Sequence, residues 1–333
     1  MPKKTYYDPK LENELTETFK NWKPTLKERT ISQYRDKLRK LRQDQEKDNF
    51  EFLKDADFMI HFLQNKYKNE STIKGYFNVI ISYLSAIDFN NQEIDKYRMP
   101  RDILNDNYFK SQLSGEIVES QKKKFVSLDI IKDMVSQMKS ELIEHPRGKE
   151  KELWRIWIVF HILTELPLRN DLASLIISSK NDMVKREKKD PDFKKKNYLI
   201  VGRSLIPEMI ILNDYKTNLI YDRKEIPIKE VLKKPIRHFL TNMKLKVGDD
   251  FINWTRMEMT GKLAKYSNKY IGINVGTQIL RHIYLTHKYG EIKKEMEKDA
   301  NISGHSTNTQ NIIYIKDPNE MITELPNGVS VEK

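Results

Sequence analysis

Apolar residues recur at helical spacing through the first hundred positions. Ile31, Tyr34, Leu38 and Leu41 fall three or four apart, with Arg and Lys between them, which predicts an amphipathic helix over 30–41. Residues 56–63 form a short apolar segment. Ser71 stands where an N-cap would open a helix bearing Ile73, Phe77, Ile80, Leu84 and Ile87 on one stripe. Such stripes are expected to be core. The cations between them, Arg35, Lys37, Arg39 and Lys74, are expected to be exposed and to be the ones that meet phosphates. The pattern breaks over 99–125, where Pro100, Asn105, Asp106, Asn107, Gly115 and the lysines at 122, 123 and 124 predict a polar, basic linker.

The second half opens with Ser127, a candidate cap for a helix running to Met138. An almost unbroken apolar stretch over 153–166, with Trp154, Ile156, Trp157, Val159, Phe160, Ile162 and Leu163, predicts a buried helix. The Lys- and Asp-rich residues 180–197 predict a surface loop whose charge is solvated. Three short β-type runs follow at 198–201, 209–212 and 225–228, separated by polar turns, and helical patterning resumes from Lys229. The expected fold is therefore mainly α with a small antiparallel β-sheet (α+β). A helical domain over 1–98 and a linker over 99–125 precede a mixed domain over 126–316 and a tail over 317–333.

Lys and Arg outnumber Asp and Glu by 60 to 48, a net charge of +12, which favours a polyanionic partner because each neutralised phosphate releases counterions. A merely basic protein has the same arithmetic. With no cysteine, disulfides, thiolate metal sites and thiol catalysis are excluded. No apolar run reaches the roughly 20 residues of a membrane span, and the first ten residues lack the apolar core of a signal peptide. An intracellular protein with no membrane partner is expected, and the Lys-, Asn- and Ile-rich usage points to an AT-rich genome, viral or of a mobile element.

Four patches in the second half hold residues of chemical interest. Leu166-Pro167-Leu168-Arg169-Asn170-Asp171-Leu172 places an arginine among apolar residues, where it needs an anion; alone it reads as a salt bridge to Asp171. Asn213-Asp214-Tyr215-Lys216-Thr217 is a polar turn between strands, and alone Lys216 is a surface lysine. Gly276-Thr277-Gln278-Ile279-Leu280-Arg281-His282 opens a helix running to about Tyr289 with Gln278 and Arg281 on one face. Ser303-Gly304-His305-Ser306 is followed, nine residues after His305, by Tyr314.

In this order, Arg169, Lys216, L-R-H, and G-H-S with its tyrosine, the second half resembles the tyrosine recombinase (phage integrase) family. The likeness covers about residues 126–316; the helical first half resembles the family's core-binding domain more loosely. The resemblance implies a C-shaped clamp on double-stranded DNA, a homotetramer on paired recombination sites, and no metal or other cofactor. It assigns Arg169 and Arg281 to clamp the scissile phosphate, with Gln278 and His305 donating further hydrogen bonds. Lys216, on a flexible turn, would protonate the departing 5′-oxygen, and Tyr314 would become the 3′-phosphotyrosine. The chemistry has a physical logic: a phenol titrates near pH 10 and is a weak nucleophile at neutrality, so fixed cationic donors at the developing phosphate charge supply most of the help.

Two positions depart from the family. Gln278 stands where His is usual; related topoisomerases of the fold tolerate such a change, but glutamine is no acid or base near neutrality. Leu172 stands where Glu commonly supports the first arginine, with Asp171, one residue earlier, as the candidate substitute. His282 is expected to be structural. Alternatives are a type IB topoisomerase, a catalytically silent DNA-binding protein of this fold, and a metal-dependent three-carboxylate integrase, for which nothing positive speaks. The short segment before the helical domain leaves little room for an arm-type DNA-binding domain, which hints at a simpler recombinase associated with DNA in the cytoplasm or nucleus of a host.

Overall fold

A computed structural model describes residues 7–113, 117, 119–304 and 307. His305, Ser306, Tyr314 and the tail over 317–333 lie outside the described residues. The chain divides into two compact units, Met1–Ile117 and Val118–Lys333.

The first unit is helical: α1 (Pro9–Trp22), α2 (Glu28–Asp44), α3 (Ala56–Lys66), α4 (Glu70–Ala86) and α5 (Asn91–Leu113). The expected stripes form its core, with Ile31, Leu38, Leu41, Ile73, Phe77, Ile80 and Leu84 buried and Ile87 at its exposed margin. The N-cap of α4 is Asn69, which accepts from the Thr72 N–H at 3.1 Å, two residues ahead of the expected Ser71.

The expected linker is helix as far as Leu113, and the division between units follows Ile117. Pro100 costs α5 one hydrogen bond, but packing on both sides of it offsets that loss. Ile94 and Tyr97 are buried, the Tyr97 hydroxyl donates to the Leu53 carbonyl at 2.8 Å, and beyond Pro100 the Lys74 ammonium of α4 reaches Asn105 Oδ1 at 3.3 Å and the Tyr108 ring at 4.4 Å.

The cations expected to stand free on these helices are committed within the unit. Glu12, buried on α1, accepts from Arg39 Nε at 2.7 Å and lies 3.5 Å from Arg35 Nε, while Arg35 also donates to Thr16 at 2.8 Å. Lys37 lies over the Tyr76 ring, its pKa pushed down by burial. Gly75 on the facing helix lies directly against the Lys37 ammonium, so a side chain there would displace the end of that lysine.

The second unit comprises α6 (Glu119–Lys122), α7 (Leu128–Ser140), α8 (Glu150–Glu165), β1 (Leu175–Ser178), α9 (Lys180–Lys189), β2 (Asn197–Val201), β3 (Pro207–Leu212), α10 (Asn218–Tyr221), β4 (Lys224–Pro227), α11 (Glu230–Asn242), α12 (Arg256–Ile271) and α13 (Thr277–Ile302). Ser127 caps α7 as expected. The apolar helix α8 is buried along its length and packs against α7, α11, α12 and α13. Within it the Trp154 indole donates to the Ile143 carbonyl at 2.9 Å, so its polar edge is satisfied.

The sheet is mixed, not antiparallel. Its order is β1-β2-β3-β4, with β1 parallel to β2 and the remaining pairs antiparallel. The extra strand has only four residues, directly after the Arg169 patch. Its outer edge is covered by residues 248–251, through Ile177 N–H to Asp249 O at 2.9 Å and Phe251 N–H to Leu175 O at 2.8 Å.

The expected loop over 180–197 is the crossover that a parallel pair requires, and it contains α9. Met183 and Phe193 decide this: with Tyr198, Ile200 and Ile211 they form a small core on the second face of the sheet. Part of the charge is paired, Arg186 with Asp182 at 2.6 Å and Lys196 with Asp190 at 3.0 Å.

Glu12→Gln should destabilise the full chain by about 1–3 kcal/mol, since two partly buried guanidiniums lose their counter-charge. Urea unfolding should show a lower midpoint. An unchanged midpoint with tighter DNA binding would instead mean that Arg35 and Arg39 are poised for phosphate.

Candidate active site

The Arg169 patch is built at the end of α8. The chain leaves the helix at Leu166, where Pro167 disfavours helical geometry in the residue before it, and turns through a 3₁₀ segment at Asn170–Ser174 that buries Asp171, Leu172 and Ala173. Arg169 is the half-buried residue that enters this turn. Lys229 secures the helix end: its ammonium takes the Glu165 carbonyl and reaches the Tyr284 hydroxyl at 3.4 Å, joining the start of α11 to α13.

Asn170 ties the turn to two other elements. Its amide nitrogen donates to Thr260 Oγ1 at 2.6 Å and to the Arg256 carbonyl at 3.2 Å, both on α12, and its amide oxygen accepts from the Thr277 hydroxyl at the start of α13. Gly276 is the N-cap of α13, which continues past Tyr289 to Ile302. Gln278 lies exposed in its first turn, Arg281 half-buried one turn on, and His282 is exposed, outside the packed face formed by Leu280, Ile283 and Tyr284.

Arg169 and Arg281 therefore come from separate elements to within electrostatic range of one buried acid. Both guanidiniums pull the Asp171 pKa down through their charge, and Arg169 lies near enough to Arg281 to push its pKa down as well. Burial is the larger cause of that depression, with the neighbouring positive charge second. The Arg281 Nε is buried and has no hydrogen-bond acceptor. The simple reading of Arg169 as the salt-bridge partner of Asp171 is corrected: the ion pair is made by Arg256, whose Nη2 lies 3.1 Å from Asp171 Oδ1.

The turn that carries Lys216 is tied to the same acid through Arg256. The Arg256 Nη2 also lies 2.8 Å from the Asp214 carbonyl and 2.9 Å from its carboxylate, two residues before Lys216. The turn expected to be flexible is firmly held. Buried Asn197 accepts from the N–H groups of Asn213 and Asp214 at 2.9 Å each and donates to the Asp214 carbonyl at 2.9 Å. Buried Asn213 donates to the carbonyls of Phe193 and Lys196, and the Tyr215 hydroxyl to that of Asp222 at 2.6 Å. The Lys216 side chain itself is exposed.

The fold thus brings Arg169, Lys216 and Arg281 to one region, with Gln278 on the turn of α13 preceding Arg281; His305 and Tyr314 lie outside the described residues. Sequence reasoning missed Asn170 and Arg256. Asn170 had a signal, its place between Arg169 and Asp171, but Arg256 had none beyond opening a Thr255/Glu258 capping box. Among the described residues no group of His, Cys, Asp and Glu is arranged to hold a metal ion, and no helix is long and apolar enough to cross a membrane. No family model, curated protein or solved structure matches the chain.

Burial pushes the Asp171 carboxyl above the ordinary aspartate value, against the pull of Arg256, Arg169 and Arg281 and with a further push from Asp214. A carboxyl that binds its proton more tightly folded than unfolded contributes stability at low pH and loses it as pH rises through the folded value. Wild type should therefore lose stability relative to Asp171→Asn as pH is raised through and above the ordinary aspartate value, measured by denaturant titration at each pH. A relative gain over that window would mean that the arginines outweigh burial.

Proposed function

We propose that the second unit is a DNA strand-transfer centre, a tyrosine-type recombinase or integrase that cuts and rejoins double-stranded DNA through a 3′-phosphotyrosine. The observation that carries this reading is the buried Arg281 Nε without an acceptor, beside an acid, Asp171, that Arg256 ties to the Lys216 turn and that lies within electrostatic range of Arg169 and Arg281. Arg256 contacts two carboxylates, Asp171 and Asp214, Arg169 and Arg281 lie within electrostatic range of the first, and Lys216 adds an exposed cation on the adjoining turn. Such an excess of charge needs an anion. A phosphodiester supplies one whose non-bridging oxygens suit two guanidiniums at once.

In the reaction the Tyr314 oxygen attacks phosphorus, forming one O–P bond as the P–O5′ bond breaks. Arg169 and Arg281 take the charge that grows on the non-bridging oxygens, where preorganised donors contribute most. His305 and Gln278 donate to the same oxygens. Lys216 gives its proton to the leaving 5′-oxygen, and the phenolic proton passes to solvent. The phosphotyrosine keeps the bond energy, so resealing by the 5′-hydroxyl needs neither ATP nor a metal. The DNA would be held by both units as a C-shaped clamp, and strand exchange would take place in a tetramer on paired sites.

The experiment is covalent trapping on a library of random-sequence duplexes carrying nicks, in EDTA. Wild type should form a denaturant-resistant adduct. Tyr314→Phe should abolish it with DNA affinity nearly unchanged, since one hydroxyl and no charge is removed. Arg281→Ala should slow it by about 10² or more, the usual worth of one transition-state donor. An adduct that persists in Tyr314→Phe, or one that forms only with divalent metal, would overturn the reading.

A further inference from the structure

Arg256 belongs to none of the motif patches, yet it contacts two of them. As the first residue of α12 it places a cation at a helix N-terminus, where the helix dipole disfavours positive charge. The helix has no need of it there, because Thr255 and Glu258 already close a capping box. What the position provides is reach. The guanidinium holds the buried Asp171 carboxylate at 3.1 Å together with the Asp214 carbonyl at 2.8 Å and carboxylate at 2.9 Å. The backbone carbonyl of Arg256 accepts from Asn170, the neighbour of Arg169, at 3.2 Å. One residue is thus bonded to the turn of Lys216, to the acid under the arginine pair, and to the turn of Arg169.

We propose that Arg256 is a positioning residue that sets the register between the Lys216 turn and the Arg169–Arg281 pair. While the arginines hold the non-bridging oxygens of a phosphate, the Lys216 ammonium is thereby placed at the bridging 5′-oxygen of the same phosphate. The proposal rests on the reading of the site as a phosphoryl-transfer centre. It assigns Arg256 to the proton-delivery side of the reaction: the P–O5′ bond breaks, its electron pair goes to the 5′-oxygen, and the proton that neutralises it comes from Lys216. Arg256 itself need not touch the DNA.

Replacing the bridging 5′-oxygen with sulfur tests this directly. A thiolate leaves without a proton, since thiols titrate several units below alcohols, so positioning of the acid no longer matters for that substrate. The duplex recovered by trapping with wild type is made in both forms at the mapped scissile position. Arg256→Gln should cleave the oxygen substrate about 10- to 100-fold more slowly, a part of what general acid catalysis contributes, with DNA affinity unchanged. It should cleave the sulfur substrate at close to the wild-type rate, which also shows the variant to be folded. Arg256→Lys, which keeps the charge without the planar fork, should recover part of the oxygen rate.

Equal slowing on both substrates would overturn the proposal and leave the site reading intact. Absence of cleavage by wild type on both would remove the site reading and the proposal with it. Should Arg256→Gln melt below the assay temperature, Asp214→Asn takes its place, since it weakens the Arg256 bond to the Lys216 turn while keeping the Arg256–Asp171 pair. The same oxygen-selective slowing, smaller in size, is then expected, and slowing of both substrates alike would again overturn the proposal.

Discussion

A carboxylate buried among arginines organises the second unit. Asp171 is buried within the 3₁₀ turn, paired with Arg256 and within electrostatic range of Arg169 and Arg281. Removing an acid from water is costly unless positive charge surrounds it, and gathering guanidiniums is costly unless an acid or an anion lies between them. Each requirement answers the other. The cations still exceed the acids, and one buried Arg281 N–H is unmatched. A site with that imbalance is stabilised when a further anion arrives, which is the property a phosphate-handling centre needs before any chemistry begins.

The remainder of the unit fixes this cluster in place. The buried helix α8 delivers Arg169 at its end, and the network around Asn197 and Asn213 holds the Lys216 turn. Asn170 fastens the first arginine's turn to both α12 and α13. Buried side-chain amides suit this work because each offers donors and acceptors together, and losing any one partner leaves others unsatisfied. The result is a rigid frame carrying a few long cationic side chains, so that the frame sets position and the side chains supply reach. Preorganisation of this kind is where enzymes derive most of their electrostatic stabilisation.

The helices of both units could be read from apolar spacing because packing selects for that spacing directly. Leu38 and Phe77 are buried as their periodicity indicates, and Trp157 and Leu163 as their unbroken apolar stretch does. What could not be read depended on distant partners. Pro100 suggested a break, but Tyr97 on one side and the Lys74 contacts on the other keep α5 continuous. The strand β1 is too short to announce itself, and its parallel partner is reached only through the crossover containing α9. The same holds for the site. Arg169, Lys216, Gln278 and Arg281 stand in recognisable local contexts, whereas Arg256 acquires its role only when residues 171 and 214 are folded against it. The cations Arg35 and Arg39 show the reverse: free in the sequence, they are bound to Glu12 in the fold.

On the proposed reading, the frame serves to make one covalent bond between Tyr314 and DNA. Mass spectrometry of the trapped complex tests it most directly. After nuclease and protease digestion, the residual nucleotide should be found on the peptide containing Tyr314, joined through its 3′-phosphate, with a free 5′-hydroxyl on the released strand. A nucleotide on Tyr284 or Tyr289, or a linkage through a 5′-phosphate, would contradict the account.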